Sequence, residues 1–132
     1  MHEWALAEAI ISAVSEAADR ENLREVNSVI VLVGELQQVD RKVLKFALTQ
    51  LRSDKLAKAK FIIRTVKARF ICKVCGHKWL FRESNLPGDV REAIHFVPEV
   101  AHAYVKCPMC GSPDFEISGG RGVWIADIRG EG

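Results

Sequence analysis

Lys60-Phe61-Ile62-Ile63-Arg64-Thr65-Val66-Lys67-Ala68-Arg69-Phe70-Ile71-Cys72-Lys73-Val74-Cys75-Gly76 is the stretch on which the fold turns. Phe61, Ile63 and Thr65 alternate with Ile62, Arg64 and Val66, the period of two that a β-strand requires, and the spacing predicts one strand from about Lys60 to Ile71. That strand runs directly into a C-x-x-C-G motif. A sheet and a cysteine module therefore share one continuous backbone.

All four cysteines of the chain lie in Cys72-Lys73-Val74-Cys75-Gly76 and Cys107-Pro108-Met109-Cys110-Gly111. A two-residue gap lets both thiolates of a pair reach one ion, and the following Gly permits the positive-φ turn that aims backbone N–H groups at sulfur. Thiolate-only tetrahedral sites select zinc, or iron in a rubredoxin-like setting. A thioredoxin-type site would need one pair, and a chain expected in the cytoplasm disfavours disulfides. Four thiolates also fill the tetrahedron and leave no position for water or substrate, so a zinc held here folds the module and does not catalyse. The 31 residues between Cys75 and Cys107 exceed the roughly 15–20 of a simple zinc ribbon, so the module carries an extra loop.

Upstream, Leu6, Ile10, Ala13, Val14 and Ala17 recur at helical spacing, and the helix is expected to fray near Asn22. Val26 to Val33 is a β-branched run bounded by Gly34, apolar on both faces and so expected to be central in a sheet or covered on both sides. Asp40 is placed to cap a second helix with the stripe Val43, Leu44, Ala47, Leu48 and Leu51. After the cysteines, Gly119, Gly120 and Gly122 precede a last strand, Val123 to Arg129. A lone C-terminal strand is not stable by itself and most simply returns to the first sheet. The expected fold is α+β: about two helices on a three-stranded sheet, residues 1–68 and 117–132, with a zinc-ribbon-like module, residues 69–116, inserted between strands.

Composition agrees with a globular chain: 132 residues, 48% hydrophobic and 27% charged. The longest apolar runs fall far short of the roughly 20 residues of a membrane span, and Glu3 and Glu8 stand where a secretory leader would be basic, so a cytoplasmic protein without membrane contact is expected. The formal charge of +2 hides an asymmetry. Residues 41–82 hold thirteen Lys or Arg against one acid, Asp54, whereas 1–40 and 83–132 are each net acidic. Such a segment is either a set of solvated faces or a docking surface for an acidic protein or a nucleic acid.

The start of the chain, Met1-His2-Glu3, offers a second metal-type feature. A bulky His in position 2 generally preserves the initiator Met. The His2 imidazole and its own backbone nitrogen form one chelate ring, which the terminal amine or the next backbone nitrogen extends. Planar nitrogen-rich sets of this kind suit Ni(II) or Cu(II) and not tetrahedral zinc.

Met1-His2-Glu3, a helix, Val33-Gly34-Glu35-Leu36, two C-x-x-C-G pairs and Gly120-Arg121-Gly122, in that order, resemble the HypA family of hydrogenase nickel-insertion proteins over nearly the whole chain. The long loop is similar to the extended form of archaeal members. The resemblance implies a metallochaperone, not an enzyme. It carries transferable Ni(II) on His2 with backbone nitrogen of Met1, His2 or Glu3, and structural Zn(II) on Cys72, Cys75, Cys107 and Cys110. It implies two partners, a nucleotide-hydrolysing (GTPase or ATPase) nickel-insertion protein and the hydrogenase large subunit. A second imidazole would complete a square plane around nickel, and His95 in the loop is the candidate. His102, five residues before Cys107, is assigned to the knuckle's approach, and His77 to closing the first turn. The Glu3 carboxylate is assigned to the helix start, where the dipole favours it. Trp4, Trp79 and Trp124 are expected to pack in the core or module, with Trp4 next to the nickel site.

The rival function is a zinc-ribbon nucleic-acid-binding protein using the basic 41–82 segment, which would need aromatics interleaved on an exposed surface. Phe61 and Phe70 in that segment read as strand core, and the rival leaves Met-His-Glu without a role. No Walker loop or dinucleotide glycine motif occurs, and an N-terminal hydrolase lacks a second carboxylate nearby. A module hung on two chain crossings is compatible with a homodimer that exchanges elements.

Overall fold

The computed structural model describes residues 2–81 and 86–132. Its elements are α1 (Glu3–Arg20), β1 (Glu25–Gly34), α2 (Arg41–Leu51), a 3-10 turn (Asp54–Leu56), β2 (Lys60–Val66), β3 (Arg69–Cys72), β4 (Lys78–Leu80), α3 (Gly88–Phe96), a second 3-10 turn (Pro98–Val100), α4 (Ala101–Tyr104), β5 (Phe115–Ser118) and β6 (Val123–Glu131). The strands form two three-stranded sheets, ordered β2-β1-β6 and β4-β3-β5. This is the expected α+β class, with the cysteine module entered after β2 and left before β6. Among the described residues, no helix is long and apolar enough to cross a membrane.

The chain divides into two compact units. The first comprises Met1–Leu32, Val39–Arg64 and Val123–Gly132; the second comprises Val33–Gln38 and Thr65–Gly122. The sequence boundaries at 68/69 and 116/117 thus fall inside the second unit. Backbone bonds explain the larger extent: Gly34 N–H donates to Gly122 O, Glu35 N–H to Val66 O and Leu36 N–H to Gly120 O, each at 2.8 Å. Backbone pairing of this kind joins residues 33–38 to the second unit.

In the first unit, α1 buries Ala7, Ile10, Val14 and Ala18, a stripe turned slightly from the one expected, with Ala13 facing out. The helix ends at Arg20, and just beyond it Asn22 takes φ +56 while Leu23 N–H returns to Ala18 O at 2.9 Å, so the chain leaves the helix by a left-handed turn at the place the sequence indicates. β1 is the central strand, as its two apolar faces require, and Val26, Val29, Val31 and Val33 are fully buried. Asp40 caps α2: its Oδ1 accepts from Lys42 N–H at 3.0 Å and Val43 N–H at 3.1 Å. Leu44, Ala47 and Leu48 are buried, but Val43 lies on the exposed side, contrary to the expected stripe.

The expected single strand from Lys60 to Ile71 is two strands in two different sheets. The break falls at Lys67-Ala68. Ala68 N–H donates to Glu35 Oε1 at 2.8 Å and Ala68 O accepts from Phe81 N–H at 2.9 Å, so its backbone is turned away from the β1 ladder. Alternation of side chains continues through such a corner and therefore hides it.

Candidate metal centres

In the second unit, β3 pairs antiparallel with β4 and with β5, placing Phe70 beside Trp79 and Ile117, and Cys72 beside Phe115. One face of this small sheet is an aromatic cluster. The Phe70 ring lies 4.9 Å from Phe115, 5.4 Å from Trp79 and 6.1 Å from Phe81, and all four side chains are buried. Such offset and edge contacts suit the aromatic quadrupole and hold the strands that present the cysteines.

The two knuckles repeat one backbone design. Gly76 N–H donates to Cys72 O at 3.0 Å and Cys72 N–H to His77 O at 2.8 Å; Gly111 N–H donates to Cys107 O at 2.8 Å and Cys107 N–H to Ser112 O at 2.9 Å. Gly76 and Gly111 take φ +77 and +76, the left-handed region that glycine enters without cost. Each knuckle buries its first cysteine and exposes its second.

All four sulfurs lie within 4.8 Å of one another, with Cys72 Sγ 3.5 Å from Cys110 Sγ and Cys75 Sγ 3.6 Å from Cys107 Sγ. A zinc–sulfur bond of about 2.3 Å gives a tetrahedral edge of about 3.8 Å, so the spacing fits a tetrathiolate ion. Val74 and Cys75 N–H groups donate to Cys72 Sγ at 3.4 and 3.5 Å. The Cys75 N–H foremost, aided by Val74, holds the Cys72 thiol down to about 6. Ser112 N–H favours the Cys110 thiolate, yet the neighbouring Cys72 sulfur, burial and the other two thiols push it up to about 12. Four sulfurs this close do not all ionise unaided, and a divalent cation is the charge that lets them. The residues present can therefore hold a metal such as zinc.

The flanking histidines serve the module. His77 stacks on Trp79 at 5.9 Å, and its carbonyl closes the first turn. His102 stacks on Phe115 at 4.4 Å with Nδ1 3.3 Å from Pro113 O, on the approach to the second knuckle. His95 is half-buried on α3, its ring edge-on to Phe81 with the ring centres 5.5 Å apart.

At the other end of the chain, Met1 lies outside the described residues. His2 is the exposed N-cap of α1; its carbonyl accepts from Leu6 N–H at 3.0 Å, and its side chain makes no cap bond. The Glu3 carboxylate accepts from Asp40 N–H at 3.1 Å, and that bond holds its pKa below the ordinary carboxylate value. Nothing in the spacing of residues 37 apart signals that contact. Trp4 and Trp124 are 39% and 41% exposed, so of the three tryptophans expected in packed positions Trp79 alone is buried. Phe46, which the sequence pattern does not single out, is 58% exposed and meets the Trp4 ring edge-on at 6.1 Å.

Fold and cysteine geometry together define a small two-part α+β protein with a four-thiolate metal-type centre. Residues 1–130 match a family model described as hydrogenase/urease nickel incorporation, metallochaperone, hypA. The chain belongs to the HypA family. It is 48% identical over 132 residues to a hydrogenase maturation factor HypA of Pyrococcus horikoshii, covering 98% of this chain and 95% of that one. It is 46% identical over 131 residues to the corresponding factor of Thermococcus gammatolerans, covering 97% and 94%. The solution structure of the Ni metallochaperone HypA from Helicobacter pylori shares the fold, with a TM-score of 0.64 at 21% identity over 99% of this chain and 98% of that chain.

Proposed function

We propose that this chain is a nickel carrier of the cytoplasm that binds Ni(II) at Met1-His2-Glu3 and delivers it to a hydrogenase large subunit with the help of a nucleotide-hydrolysing partner. Zn(II) in Cys72, Cys75, Cys107 and Cys110 braces the second unit and takes no part in transfer. The observation that carries the reading is the state of His2: an exposed imidazole at the helix N-cap, uncommitted to capping. The first N–H groups of a helix lack intrahelical partners, so the nitrogens next to that imidazole remain available to close chelate rings. The Glu3 carboxylate is engaged by Asp40 N–H, which leaves its backbone nitrogen as the Glu3 contribution. Nitrogen donors in a plane favour Ni(II) over Zn(II), and an exposed terminal chelate suits an ion that must leave again.

Titrating untagged protein with Ni(II) tests this. His2→Ala, and separately an N-terminal extension of a few residues, should each abolish one tight site while zinc content and far-UV circular dichroism persist. Undiminished nickel affinity in the extended protein refutes the proposal. The second imidazole expected of His95 is decided in the same titration, where His95→Ala should shift the visible band and weaken binding about tenfold or more if that ring is a ligand.

The nucleic-acid alternative is less well supported. Of the aromatics in the basic segment, Phe61, Phe70, Trp79 and Phe81 are buried and Phe46 alone is exposed, so the segment offers one ring where a stacking platform needs several.

A further inference from the structure

We infer that Trp4, Val43 and Phe46, together with Lys42 and Lys45, form the surface that docks the protein receiving the nickel, and that this acceptor meets it with an apolar cleft rimmed by carboxylates. The inference rests on the carrier reading above and adds the surface and the partner chemistry to it.

Apolar exposure is the first observation. Trp4 is 39%, Val43 38% and Phe46 58% exposed, and the Trp4 ring stands edge-on to Phe46 at 86°. Val43 and Phe46 are three apart on α2 and so share one helix face. Three large side chains left contiguous in water mark a contact surface, whereas isolated exposed ones need no explanation.

Charge is the second. Arg41 and Lys42 occupy the first turn of α2, which holds no acidic residue. Cations there oppose the helix dipole. Lys42 and Lys45, three apart, repel one another as well. Among the described residues neither lysine is in an ion pair. Both lysines are exposed, so incoming carboxylates would pair with charges that no acidic side chain among the described residues holds in an ion pair.

Position identifies the occupant. Trp4 lies two residues from His2, and the Glu3 carboxylate is bonded to Asp40 N–H at the start of α2. An ion passes between ligand sets only when both approach it within bonding distance, about 2 Å for nitrogen donors. A partner seated on this face has the nickel-bearing terminus at its edge, which is what an acceptor requires.

The test uses the full chain and, as probe, nickel-free hydrogenase large-subunit precursor from the same organism, with association followed by titration calorimetry. Phe46→Ser, and separately Lys42→Glu with Lys45→Glu, should each weaken association at least tenfold and slow nickel transfer, with unchanged nickel affinity and circular dichroism. Wild-type association should weaken as salt rises. Unchanged association in either variant overturns the inference. An effect of charge reversal alone would mean non-specific adhesion, and no association of the wild type would mean a different acceptor; both overturn it. If the wild type associates but binds no nickel tightly, the carrier reading fails, while the two variants still decide the surface.

Discussion

Arg121 stands between two glycines at a place where the sequence suggests a backbone role, yet its guanidinium pairs with Glu99 of the long loop. Glu99's own backbone N–H and then the Arg121 side chain hold its carboxyl below the ordinary value of 4.5. A folded-state acidity stronger than the unfolded one stabilises above the unfolded value, and that contribution is lost as pH falls through the folded value. Glu99→Gln should therefore lower the Tm at pH 7, and the gap to wild type should close as pH drops below about 4.5; thermal melts from pH 7 to pH 3 check it. The neighbouring Gly120 has a steric reason to be glycine: at φ +82 a Cβ would collide with the backbone and Cβ of Ala68. The glycine was visible in the sequence, but the residue it faces, 52 positions earlier, was not.

At the scale of elements, α2 shows how local chemistry and tertiary contact divide the work. Asp40 was legible as a cap because Asp precedes an apolar-periodic run, and its carboxylate does close two N–H groups. Asp40→Ala should cost about 1 kcal/mol, the usual worth of such a cap, seen as a Tm lower by a few degrees. The Glu3 bond should survive that change because it uses the Asp40 backbone. Val43 lies in water although its spacing places it in the apolar stripe. It satisfies helical spacing next to Leu44 and Ala47, and periodicity cannot say how wide the covered face is. The 60–71 stretch failed in a similar way: alternation predicts strand, but only pairing partners tell one strand from two.

For the whole molecule, the second unit builds its interior on four aromatics, on aliphatics such as Leu36, Ile94 and Val105, and on the two inward cysteines, Cys72 and Cys107. So small a core is of the size that commonly needs a metal or disulfides, and binding of the ion becomes part of its folding free energy. Stripping the metal from the intact chain with a strong chelator should collapse the amide dispersion of Phe70, Trp79 and Phe115. The amides of Val14, Val31 and Leu48, buried in the first unit, should keep theirs. Persistence of all six sets of signals would show that the cysteines hold no structural ion.

From its residues alone the chain declared two C-x-x-C-G knuckles, an imidazole at position 2, alternating and helical apolar periods, and hence an α+β protein with a cysteine module set between strands. Those are local properties: chelate rings, turn φ values and side-chain periods depend on residues a few positions apart. Tertiary structure alone decided where the 60–71 stretch bends, that residues 33–38 belong with the cysteine unit, that Glu3 reaches Asp40, and that Trp4, Val43 and Phe46 remain in water. Each of these depends on segments far apart in the chain meeting or failing to meet, and neither periodicity nor spacing encodes which distant surface will cover a given side chain.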